Sequence, residues 1–209
     1  MPNGRVREAI VRTTESNMEE ARPALASLVN DLKESISMLL EALRAKSALI
    51  LLYSGIDFLG ALDSADGVAS RETFLRWADR YMEPAAKLGC SSLELFSARC
   101  GLLHNLSPIT NLTKAGKARE FIYLIDRPHS PIRQIPDQPF IVHVPTVWLT
   151  FRDGASFFVA DTMDDVSRFI AGTEQPCERV LRSDPLIKEL KSSSPSASET
   201  RSLGSCTRG

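Results

Sequence analysis

Arg99 and His104 stand five residues apart in the run Ser91 to Leu106, SSLELFSARCGLLHNL. Arginine keeps its charge and can fork two N–H groups onto a phosphate, while histidine gives or takes a proton near neutral pH. In residue type alone, the two suffice to cleave a phosphodiester without a metal. The spacing by itself is unspecific. It equally describes an exposed arginine and a histidine whose charge suits the C-terminal end of a helix dipole.

The element that must carry the pair reads as a short amphipathic helix. Ser91 followed by Glu94 fits a capping box, in which hydroxyl and carboxylate satisfy the free N–H groups of the first turn. Leu95, Ala98, Leu102 and Leu103 recur at helical spacing and predict a buried face.

Three helices are expected upstream. Met18 to Leu43 places Leu25, Leu28, Val29, Leu32, Ile36, Leu39, Leu40 and Leu43 at helical spacing, with charged residues outside. Ala48 to Leu62 is apolar nearly all round, too short to span a bilayer and interrupted by Asp57, so it reads as a central bundle helix. Asp63 to Gly67 is a loop. Ser70 then caps a helix whose Phe74, Trp77, Ala78 and Tyr81 form a core stripe that Pro84 ends. Residues 1–17 carry little apolar surface and read as a loose leader.

Downstream, Phe121 to Ile125 and Phe140 to Val144 are short β-branched and aromatic runs. They flank a connection with Pro128, Pro131, Pro136 and Pro139, which predicts two small antiparallel strands in a hairpin insertion at about 119–145. Thr146 to Ala160 fits two patterns: a tight hairpin at Asp153-Gly154, or a helix with the stripe Trp148, Phe151, Ala155 and Phe158 and a tolerated Pro145 at its start. The helix is favoured, running towards Ile170. The helical domain is expected over 18–182, and the Ser-rich stretch 183–209 is expected to be disordered.

The 209 residues carry a formal net charge of -1, so nothing pulls the chain as a whole towards nucleic acid or an anionic membrane. Cys90, Cys100, Cys177 and Cys206 form no CxxC pair and stand beside no histidine at ligand spacing, which argues against a zinc site and for no metal or other cofactor. The charged N-terminus does not resemble a secretory signal, and the expected setting is the cytoplasm with no membrane partner.

Several segments in order then resemble the HEPN superfamily, specifically its small bacterial and plasmid-borne members: YSGID (Tyr53 to Asp57), LRWADRYMEP (Leu75 to Pro84), ARCGLLH (Ala98 to His104) and GKAR (Gly116 to Arg119). The resemblance covers roughly residues 45 to 125 and implies a mainly α antiparallel bundle acting as a homodimer. It implies a metal-independent ribonuclease (RNase) of the toxin–antitoxin or phage-defence kind, with RNA as substrate and an antitoxin or other protein as partner. It further implies that Arg99 binds the scissile phosphate and His104 moves a proton, leaving a 2′,3′-cyclic phosphate and a 5′-hydroxyl. On an ideal α-helix, residues five apart point about 140° from one another. The resemblance implies that the Arg and His of two subunits converge across a dimer cleft, and two motif helices packed about a two-fold axis can build such a composite site. Cys100 follows the arginine where ribonuclease members often have Asn, Asp or His, and Leu106 stands where members with a nucleotidyltransferase antitoxin often have Tyr. The alternative is a catalytically inactive dimer of the same kind that binds RNA or a protein partner.

Supporting residues follow from cost and proximity. A carboxylate at Asp57, inside the most apolar helix, needs a partner; orienting Arg99 or His104 is one reading, and an ion pair with another arginine or a reach to solvent is the other. Tyr53, one turn earlier, could join that network or simply be half-buried. Asn105 could cap the helix end or bind phosphate. Lys114, Lys117, Arg119, Arg127 and Arg133 leave a local excess of three positive charges over Glu120 and Asp126, either an RNA track or a solvated loop face. His129 and His143 read as structural.

Overall fold

The structure, a computed structural model, describes residues 4–126, 134–135 and 138–164. It is mostly helical, and its elements follow the apolar periodicity. Helix α1 (Gly4–Glu41) and helix α2 (Ala45–Leu62) pack side by side after a three-residue turn. Leu25, Val29 and Ile36 face the core as their spacing requires. Leu43 does not: it lies in the turn beyond α1, left-handed at φ 56° and 78 % exposed. The stretch read as a leader, from Gly4 onwards, is the N-terminal part of α1.

Helix α2 is the central element, packed by α1, α3 (Arg71–Trp77) and, beyond the single-turn α6 (Asn111–Lys114), α7 (Val144–Asp164). It starts at Ala45, three residues before the run read as too short to span a bilayer, and so among the described residues it is the one helix long and apolar enough to cross a membrane; most of it is buried inside the bundle. Ser70 caps α3 by accepting from the Thr73 N–H. Phe74, Trp77, Ala78 and Tyr81 are all buried, so the aromatic stripe is core. A π-helical turn (Ala78–Met82) ends this helix, and Pro84 opens the short α4 (Pro84–Lys87).

Helix α7 resolves the ambiguity at 146–160 in favour of a helix. Asp153-Gly154 is not a turn. A Cβ at Gly154 would sit 2.6 Å from the Tyr81 carbonyl oxygen, so the glycine is there to let α7 lie against the backbone of the π-helical turn. Its Phe151 and Phe158 rings meet Trp77 at 6.0 and 6.2 Å. Val144 and Pro145 fill the first turn, where a missing N–H costs nothing.

The expected hairpin is corrected. Strands β1 (Phe121–Leu124) and β2 (Phe140–His143) pair in parallel, Phe121 opposite Phe140 and Leu124 opposite His143. Parallel partners need a crossover of a dozen or more residues, which Ile125 to Pro139 supplies; a hairpin needs only a short turn. Arg127, His129, Arg133, three of the four connecting prolines, Cys177, Cys206, the run from 165 to 170 and the tail at 183–209 lie outside the described residues.

Candidate functional site

Helix α5 (Ser92–Cys100) carries Arg99 on its last turn. The expected capping box is present: Ser91 Oγ accepts from the Glu94 N–H at 3.2 Å, and the Glu94 carboxylate accepts from the Ser91 N–H at 2.8 Å. Leu95 and Ala98 are buried, and Leu102 and Leu103 are half-buried. Ser91→Ala is expected to cost about 1 kcal/mol, as loss of an N-cap does, read as a lower urea midpoint with an unchanged slope.

Beyond Cys100 the helix changes pitch. Gly101–Asn105 is a second π-helical turn, closed by Leu106 in the left-handed conformation at φ 50°, whose N–H donates back to the Gly101 carbonyl. In a π turn the backbone bonds run i to i+5, so residues five apart come round to the same side. Arg99 Nη1 and His104 Nε2 are 3.2 Å apart within the one chain. A guanidinium only donates, so in this contact Nε2 is the acceptor, a role that the tautomer with its proton on Nδ1 fills. His104 is exposed and Arg99 partly so.

Asp57 holds the arginine from α2. Its Oδ2 accepts from Arg99 Nε at 2.7 Å and lies 2.7 Å from Nη2, leaving Nη1 for the histidine. Burial pushes the Asp57 carboxyl above its usual value, and the hydrogen bond and charge of Arg99 pull it part of the way back. Burial also works against the arginine's charge, but Asp57 outweighs it and the guanidinium ends above its ordinary value. Two contacts escaped the sequence reading. The Phe96 ring lies 5.9 Å below the guanidinium, and Cys100 Sγ is 3.9 Å from Nη1. Phe96 precedes Arg99 by three residues, a helical-neighbour spacing that could have found it.

Of the other expected residues, Tyr53 stands apart. It is fully buried, and its hydroxyl shares a 2.8 Å hydrogen bond with the Tyr123 hydroxyl of β1, not with the Asp57 network. Asn105 ends the π turn, and its side chain is outside the described structure; the turn itself is closed by Leu106. Arg119 is not a free cation. It forks onto Glu94, with Nη2 at 3.0 Å, and stacks 4.4 Å over the Phe140 ring. Lys114 and Lys117 are exposed, with no ion pair among the described residues. An open groove of about 440 Å³ beside Lys117 and Arg119 also carries Glu94 and Glu120, so its lining is mixed in charge rather than a basic track. His143 bonds Thr146 at 3.0 Å. No three His, Cys, Asp or Glu converge as a metal site among the described residues.

Glu94 serves both the cap and Arg119. Burial opposes its charge, but Arg119 and the Ser91 N–H prevail and hold its carboxyl at about 2. An unfolded glutamate titrates near 4.3, so the stability this group supplies is complete above that pH and is lost as pH falls towards about 2. Glu94→Gln is expected to flatten that stretch of the acid-unfolding curve, as followed by circular dichroism.

No family model, no curated protein and no solved structure matches this chain.

Proposed function

We propose that the chain is a HEPN-like, metal-independent endoribonuclease, cytoplasmic and homodimeric, working in toxin-like or defence roles. The observation that supports this best is the 3.2 Å contact between an arginine anchored on its inner side by Asp57 and an exposed histidine. A phosphate entering there meets a fixed positive charge, which stabilises the charge that develops at phosphorus. As Nη1 turns from His104 onto the phosphate oxygen it frees the Nε2 lone pair, which takes the proton of the ribose 2′-hydroxyl as that oxygen attacks phosphorus. The P–O5′ bond breaks, and the 5′-oxygen leaves as a hydroxyl on protonation from water or an imidazolium. The products are a 2′,3′-cyclic phosphate and a 5′-hydroxyl.

The test is incubation of wild type, Arg99→Ala and His104→Ala with total RNA in EDTA, reading the new ends. Cleavage by wild type alone, leaving cyclic-phosphate ends, is the expected result. Salt-sensitive RNA retention without new ends, by folded protein, would replace this reading with the inactive RNA-binding dimer.

A further inference from the structure

Phe96, half-buried on α5 beside the candidate site, has a second guanidinium against its ring. Arg71 Cζ lies 5.9 Å from the ring centroid, the same distance as Arg99 Cζ. The two arginines come from different helices, by one spacing read in opposite order. Arg71 precedes Phe74 by three residues on α3, and Phe96 precedes Arg99 by three on α5, so each arginine shares a helix face with an aromatic ring. Phe74 is fully buried and meets Phe96 edge-on at 5.4 Å, which ties the two helices together where both arginines stand. The Ser70 cap fixes the start of α3, and Arg71 is the next residue.

Charge sets Arg71 apart. Arg76, Arg80, Arg99, Arg119 and Arg152 each have a carboxylate partner, whereas Arg71 is exposed and has no ion pair among the described residues. Glu72, the residue after it, lies about 100° round the helix. Two like charges thus meet one ring, while a single carboxylate, Asp57, offsets one of them. The positive charge left over is that of Arg71. With each guanidinium 5.9 Å from the ring centre, the two stand at most twice that far apart. Phosphates recur along a strand every few ångströms, about 3.4 Å of axis in a duplex. A strand held at Arg99 therefore brings another phosphate within reach of Arg71.

We propose that Arg71 is a second phosphate subsite of the candidate site, gripping a phosphate that neighbours the one held at the Arg99–His104 couple. The substrate is then an RNA strand whose consecutive phosphates run from α5 to α3. A dinucleoside monophosphate, with its one phosphate, is a poor substitute. The catalytic meaning of the subsite rests on the ribonuclease reading; its grip on a strand is measurable without cleavage.

The test is binding of a fluorescent 2′-O-methyl oligoribonucleotide, which lacks the attacking hydroxyl, followed by anisotropy across a salt series with the full chain. Arg71→Ala is expected to weaken binding about three- to tenfold. It should also make the logarithmic salt dependence shallower by about 0.7, the share of one phosphate on a single strand. Arg71→Gln should behave alike, and Arg71→Lys, which keeps the charge, should keep the slope. In cleavage, Arg71→Ala should raise KM for an oligoribonucleotide by a similar factor, and far less for a dinucleoside monophosphate. Folded Arg71→Ala and Arg71→Gln with the wild-type slope and KM overturn the subsite, while cleavage by wild type leaves the ribonuclease reading standing. Wild type that binds the oligonucleotide and cleaves no RNA overturns the ribonuclease reading, and the slope still decides the subsite. Absence of any binding overturns both.

Discussion

On the ribonuclease reading, His104→Ala is expected to slow RNA cleavage in EDTA by about 10²–10⁴-fold, the usual worth of a positioned acid–base group. Arg99→Ala is expected to slow it by about 10²–10³-fold, as loss of one preorganised donor does. If the two residues act on one phosphate, as proposed, the double variant is expected to fall little below the slower single one. Stability separates them. His104 is exposed and its removal leaves no buried group unpaired, so His104→Ala unfolds like wild type. Arg99→Ala strips Asp57 of the partner that offsets its burial. A cost of about 1–2 kcal/mol follows, below that of a fully buried pair because water screens the site. Adding Asp57→Asn to Arg99→Ala should return much of that stability and none of the cleavage, a contrast that thermal unfolding and end-mapping read side by side. Wild-type rates in His104→Ala would sink the ribonuclease reading.

Gly101→Ala is the second large effect, and it touches neither residue of the couple. The added Cβ would meet the Ser107 carbonyl oxygen at 2.2 Å. That oxygen is backbone, so no rotamer relieves the clash and the turn must open. Overpacking of this kind costs about 1–3 kcal/mol. Opening the turn also carries His104 away from Arg99, and a misplacement of about 1 Å can lower a rate about 10²-fold. Urea denaturation and the cleavage assay together check this: a variant with wild-type stability and wild-type rate would mean that the turn does not set the geometry.

Much of the helical scaffold was legible because its signals are local. The stripe Phe74, Trp77 and Tyr81, the cap at Ser70 and the box at Ser91 each need only a few neighbouring residues to be read. Asp57 was legible for a different reason: a carboxylate in an apolar helix has to find a cation, and it found Arg99. What escaped depends on distant partners or on backbone pitch. Tyr53 was grouped with Asp57 by helical proximity, but its partner is Tyr123, seventy residues on. Arg119 counted as a free charge until Glu94 took it. The existence of both strands showed in their composition, whereas their direction is set by how the connection returns. The π turn after Cys100 has no residue pattern of its own, and so the α-helical angle gave the wrong separation for Arg99 and His104.

That turn also bears on insertion and deletion. A π turn holds one residue more per backbone ring than an α turn, so it is equivalent to a single-residue insertion that a helix has absorbed without breaking. Residues four apart already share a face on an α-helix. A descendant that lost one residue between Arg99 and His104 could therefore keep the two side by side by reverting to regular pitch, at the expense of the fold-back at Leu106.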